Sequence, residues 1–138
     1  MLSKTLICPL LLAMTLQSLS MQTTSLAIEA GRKPVLVHIT NTVPAEDLSQ
    51  VNMTIRVVGG DFLPSVALSR GQEYQMEAIE NNPYIAMAYF GLEFAAFDPY
   101  LPGRDKGQAA VYWKVNDVGF YISYDGSKWK LDTPWETE

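Results

Sequence analysis

The residues equipped for chemistry are few, and their spacing limits what they can do. His38 is the single imidazole of the chain. It has no metal-ligating or nucleophilic neighbour at a useful spacing, so it reads as a strand histidine and not as a relay or a ligand. No G-x-S-x-G elbow is present to expose a serine nucleophile. Two carboxylate pairs, Asp98 with Asp105 and Glu77 with Glu93, are the ones to test for glycoside hydrolysis, which needs two acids about 5–10 Å apart. Alternating acids on a strand more often form a solvated face. Asp98, Asp105 and the carbonyls between them lack the dense alternating oxygen donors of a calcium loop, so the segment reads as plain surface. The expectation is a protein without catalytic residues, metal or cofactor.

One modification signal is explicit. Asn52-Met53-Thr54 is an acceptor for an N-linked glycan, and strand alternation turns Asn52 outward, where a sugar has room.

That modification requires a secretory route, and the first 27 residues read as one. Lys4 supplies a short positive region, and the apolar run Leu6–Leu16 is shorter than the roughly 20 residues that span a bilayer. Ser25 and Ala27 favour cleavage before Ile28, with Ser18 and Ser20 offering an earlier site before Met21. Residues 28–138 are then a single secreted, extracellular domain with no membrane insertion. The only cysteine, Cys8, falls in the leader, so no disulfide or thiolate site is left to the mature domain. The chain carries net charge −5, and losing Lys4 leaves nine basic and fifteen acidic side chains, net −6. Nucleic acid is excluded as a partner on that balance, because phosphate neutralisation needs clustered Lys and Arg.

From Val35 onward, apolar residues recur with period two in runs rich in Val, Ile, Tyr, Phe and Trp. Val35, Val37 and Ile39 share one face, as do Val51, Met53, Ile55 and Val57, then Tyr74, Met76 and Ala78, then Val111, Trp113 and Val115. Phe120, Ile122 and Tyr124 form a further inward row. The run 84–94 reads as one strand apolar on both faces, with Gly91 at a bulge. Asp125-Gly126 signals a tight hairpin returning into Trp129 and Leu131. The polar tail from Asp132 packs back through Trp135. The fold class expected is all-β, an antiparallel β-sandwich of seven or eight short strands. Tyr112 and Tyr121 fall off the inward rows and are open to a partner or to a second layer of packing.

Several blocks across 35–135 follow the pattern of one known family. Val37-His38-Ile39-Thr40-Asn41 is similar to its opening V-x-I-x-N strand, and Met53-Thr54-Ile55-Arg56-Val57 to its second. Leu68, Gly71 and Tyr74 match an L-x-x-G-x-x-Y stretch. Phe97-Asp98-Pro99-Tyr100 with Arg104-Asp105 resembles an F-x-x-Y segment and the charged loop after it. The run Val111–Ile122 is similar to the W-x-V-x-x-D-G-x-Y block, and Trp135 fills a terminal aromatic position. Members usually keep four cysteines in two bridges, whereas this chain has Val57, Val111 and other residues there. This resemblance to the plant self-incompatibility S-protein homologue family implies a small secreted recognition protein that binds a cell-surface receptor protein through variable loops on a rigid sandwich. Those loops would be Thr42–Gln50, Gly59–Pro64, Asn81–Pro83 and Asp98–Gly107, with Glu46, Asp47, Asp61, Asp98, Tyr100, Arg104, Asp105 and Lys106 as the contact residues. The alternative from another class is a secreted carbohydrate-binding or glycoside-hydrolysing module that stacks sugar on exposed Tyr and Trp.

Overall fold

The computed structural model describes residues 33–44, 50–79 and 81–137. The expected leader and its cleavage sites lie outside them, as do Glu46 and Asp47. Residues from Pro34 onward form one compact unit. No helix among the described residues is long and apolar enough to cross a membrane.

Ten strands follow in order: β1 (Val35–Asn41), β2 (Val51–Val57), β3 (Val66–Leu68), β4 (Glu73–Ala78), β5 (Tyr84–Phe90), β6 (Glu93–Tyr100), β7 (Ala110–Val115), β8 (Gly119–Ser123), β9 (Lys130–Pro134) and β10 (Glu136–Thr137), with a one-turn helix α1 (Pro102–Asp105) between β6 and β7. They build two five-stranded sheets, β4-β1-β7-β8-β9 and β10-β6-β5-β2-β3. The all-β sandwich expected from the alternation is therefore the architecture present. Two details differ. The pair β1–β7 is parallel, Val37 opposite Val111 and Ile39 opposite Trp113. The strand number is higher because the run 84–94 is not one strand and because the tail adds β10. Gly91, with φ 61°, opens a two-residue turn between Phe90 and Glu93, the place where a II′ hairpin demands glycine.

The period-two rows point inward as read. Val35, Val37, Ile39, Val51, Met53, Ile55, Val111, Trp113 and Val115 are all buried. Tyr124 departs from its row because β8 stops at Ser123, leaving the ring partly exposed and its hydroxyl turned to Asp105. Asp125-Gly126 does sit in a turn, but the connection runs over six residues. The Asp125 carboxylate accepts from the backbone N–H groups of Ser127 and Lys128, at 2.8 Å each, and from the Ser123 hydroxyl at 2.9 Å. Those donors hold it well below the usual carboxylate range. Leu131 lies on the exposed side of β9.

With no thiol in the described domain, aromatic packing ties the sheets together. Phe97 of one sheet stacks on Phe120 of the other with centroids 4.1 Å apart, and meets Trp113 edge-on at 5.0 Å. Trp135 sits where the chain passes from β9 in one sheet to β10 in the other, against Phe120 and Phe90 at 5.3 and 5.7 Å. Its indole N–H donates to the Asn116 carbonyl at 2.7 Å. Val57 and Val111, at positions where the resemblance would place cysteines, are packed apolar side chains. Asn41 adds a buried polar tie, donating to the Leu68 carbonyl at 2.8 Å and accepting from the Val43 N–H at 3.0 Å.

The β8–β9 pairing depends on one glycine. A Cβ on Gly119 would run into the Thr133 carbonyl oxygen and come within 2.6 Å of Pro134 Cα, both of them backbone atoms that have no side-chain freedom to yield. Gly119→Ala is expected to cost about 1–3 kcal/mol, the range for forced overpacking. Urea unfolding measures it, with the exposure of Trp135 to quencher reporting whether β9 has lifted.

Candidate functional site

Strand register decides which connections meet. Val57 pairs with Tyr84 and Tyr84 with Tyr100, so β2 ends, β5 begins and β6 ends at one edge of their sheet. In the other sheet, Val35 pairs with Ala78 and Leu36 with Ala110. The chain joins Ala78 to Tyr84 and Tyr100 to Ala110, which brings both edges to the same end of the sandwich. Three of the four expected loops, 59–64, 81–83 and the one after β6, therefore converge. The Val58 N–H donates to the Pro83 carbonyl at 2.9 Å and links two of them directly. A further connection, 124–129, reaches the same end, and no turn motif in the sequence marks it as a neighbour of the others. The fourth expected loop leaves Asn41 and rejoins at Val51, at the opposite end beside Leu68.

Within the segment 98–107 the structure corrects the expectation of a long exposed loop. β6 continues through Tyr100, which is 0% exposed, and α1 then folds Asp105 inward, also at 0%. Neither residue is on the surface as a contact residue. Pro102 starts this turn, because proline fixes φ and suits the first helical position.

Asp105 is the centre of a closed polar cluster. Its carboxylate accepts from Arg104 Nε at 2.7 Å, Arg104 Nη2 at 2.6 Å, the Leu101 backbone N–H at 2.9 Å and the Tyr124 hydroxyl at 2.7 Å. Arg104 also donates to the Asp98 carbonyl at 2.8 Å and lies over the Trp113 ring at 5.2 Å. Burial opposes the Arg104 charge, but the Asp105 hydrogen bonds and charge outweigh it and raise its pKa. Burial, and then the bond and charge of Asp105, push the Tyr124 phenol up to about 12. Burial raises Asp98 against the pull of Arg104. Both carboxylate oxygens of Asp105 are committed to protein donors, so that side chain has a structural use, while Asp98 joins the cluster through its backbone carbonyl. Glu77 and Glu93, the other acid pair, sit on different sheets and at opposite ends.

What the loop end does expose is mixed in character. Phe62 is 70% exposed, with Val58 and Ile79 also open to solvent. Asp61 and Lys106 are exposed at the same end. Exposed apolar groups set among charges are the composition of protein contact surfaces.

The outer face of the first sheet carries the ring residues that fell off the inward rows. Tyr112 stacks on His38 at 4.8 Å, and His38 Nδ1 lies 3.2 Å from a Glu73 carboxylate oxygen. The Lys114 ammonium sits over Trp129 at 4.6 Å and Tyr121 at 5.6 Å. The partner that sequence spacing failed to supply for His38 comes from across the β1–β4 ladder. On the second sheet, Asn52 is exposed on β2 as expected, directly opposite Tyr89 of β5.

Comparison with known proteins returned no matching family model, no matching curated protein and no matching solved structure.

Proposed function

We propose that this protein is a secreted recognition protein, of the kind that the self-incompatibility S-protein resemblance implies, which binds a cell-surface protein through the end of the sandwich where the 58–64, 79–83 and 101–109 connections meet. The observation that carries this reading is the exposed Phe62 with Val58, Ile79 and Asp61, at the end of the sandwich that also exposes Lys106, on connections braced by a rigid body. An aromatic anchor ringed by polar groups is the usual arrangement of an interface hot spot. The acidic net charge favours a partner with basic character at its contact site. The Arg104–Asp105–Tyr124 cluster serves by fixing the β6–β7 connection, so that Lys106 is presented on a stiff support.

A second reading, a secreted carbohydrate-binding or glycoside-hydrolysing module, draws on the row Tyr112, Tyr121 and Trp129. One face of Tyr112 is already covered by His38 and one of Trp129 by Lys114, which leaves less open ring for a sugar. Binding of labelled protein to intact cells of the producing organism separates the two. Saturable binding abolished by mild protease treatment of the cells is the expected result. Binding that survives protease and is displaced by free oligosaccharide establishes the carbohydrate reading instead.

A further inference from the structure

The outer face of the second sheet is unusually apolar for a surface open to water. Ile85, Met87 and Tyr89 of β5 lie beside Phe94 and Ala96 of β6, and Tyr89 is 49% exposed. A shallow cavity of about 180 Å³ opens here, bounded by Asn52, Thr54, Ser65, Ala67 and Tyr89. That is below the size of a drug-sized pocket and on the scale of one ring. Asn52 and Thr54, the two defining positions of the glycan acceptor, both point to this face, and Asn52 is the direct cross-strand neighbour of Tyr89. Side chains so paired approach within about 5 Å.

We propose that Asn52 carries an N-linked glycan whose first N-acetylglucosamine seats in this cavity against the Tyr89 ring and shields the outer face of the second sheet. The inference rests on the secreted reading above. In the transfer step the Asn52 amide nitrogen attacks C1 of the sugar on a lipid-linked pyrophosphate oligosaccharide. The N–C1 bond forms, the C1–O bond to pyrophosphate breaks, the lipid pyrophosphate departs and the amide proton passes to a base of the host transferase. Nothing is oxidised or reduced. The sugar's apolar C–H face then lies on an aromatic face, and its polar edge remains in water. Burying part of the Tyr89 ring in this way stabilises the fold without adding any protein contact. It also assigns the two surfaces different uses, the loop end for recognition and this face for the glycan.

The test is expression of the full chain in a eukaryotic secretory cell, with its own amino terminus and, in parallel, behind an independent secretion leader. Secreted material is expected to carry one glycan, absent from Asn52→Gln and from Thr54→Ala. After enzymatic trimming to a single N-acetylglucosamine, the unfolding midpoint should exceed that of Asn52→Gln by roughly 4 °C. Tyr89→Ala should erase that difference. The acetyl methyl resonance of the remaining sugar should be shifted upfield by the Tyr89 ring current and return to its free position in Tyr89→Ala. A glycan found only on the chain expressed behind the added leader overturns the secretion reading and leaves the site standing. Absence of glycan from material secreted behind that leader overturns the site. An unshifted methyl signal, or a midpoint gain unaffected by Tyr89→Ala, overturns the packing, and so does a dimer or complex of the glycosylated protein that buries this face.

Discussion

Asp105→Ala is expected to destabilise the domain by about 3 kcal/mol, the lower part of the range for removing one partner of a buried ion pair. The carboxylate is 0% exposed and receives four donors, from Arg104, Leu101 and Tyr124. Arg104 retains some solvent access and its link to the Asp98 carbonyl, which keeps the cost from the upper end. The half-buried Leu101 N–H loses its carboxylate acceptor, at the low end of the roughly 1–3 kcal/mol that an unpaired buried donor costs. Asp105→Asn should lose less, since one amide oxygen still accepts. Denaturant midpoints measure both. A loss under about 1 kcal/mol for the alanine variant contradicts the role given to the cluster. The pH dependence supplies a second readout. The Tyr124 phenol has its pKa raised above 10 in the folded state, to about 12. Its contribution is therefore complete below pH 10 and is lost as pH rises through 12. Spectrophotometric titration should show, besides Tyr74, whose phenol burial also raises, a late tyrosine in the wild type that ionises earlier in Asp105→Asn.

Trp113→Ala is expected to be at least as damaging, about 3–5 kcal/mol, the range for truncating a buried aromatic residue. Trp113 is the largest fully buried side chain among those described, and its neighbours come from both sheets. It meets Phe97 edge-on, supports the Arg104 guanidinium and donates its indole N–H to the Pro99 carbonyl at 3.0 Å. Truncation thus opens a cavity, removes the cation–π contact and leaves that carbonyl without its indole donor. Trp113→Phe should recover about half of the loss, because it restores volume without the donor. Since disulfides are commonly worth about 2–4 kcal/mol each, a loss of this size makes the aromatic chain from Trp113 to Trp135 comparable to a cross-link in this thiol-free domain. Thermal and urea unfolding of the two variants give the comparison.

Much of the fold was legible because a half-buried strand writes its inward face as every second residue, and β1, β2, β4 and β7 do so without interruption. The run 84–94 was ambiguous for a physical reason. Ile85 and Met87 are apolar on the outer face as well, so the alternation vanishes, and Gly91 reads equally as a bulge or a turn. The segment 98–107 misled because its charges suggested solvent, whereas Asp105 turns inward to meet donors that are distant in sequence, such as Tyr124. Local composition carries no information about such a partner. The His38–Glu73 and Asn52–Tyr89 neighbours escaped for the same reason, being products of register between strands. Outward placement of Asn52 and convergence of three of the four loops were derivable, the first from alternation and the second only once the strand order was known.

Central to this account is recognition through the end of the sandwich that exposes Phe62. The most direct measurement is the affinity of the purified protein for intact cells, with Phe62→Ala compared against Leu92→Ala. Leu92 is the more exposed of the two, at 86%, but lies on the β5–β6 hairpin at the opposite end. Phe62→Ala should weaken binding at least about tenfold, as a loss of roughly 1.4 kcal/mol or more at a hot spot requires, while Leu92→Ala leaves it unchanged and both retain the wild-type melting temperature. Equal effects from the two substitutions, or a loss confined to Leu92→Ala, would contradict the assignment.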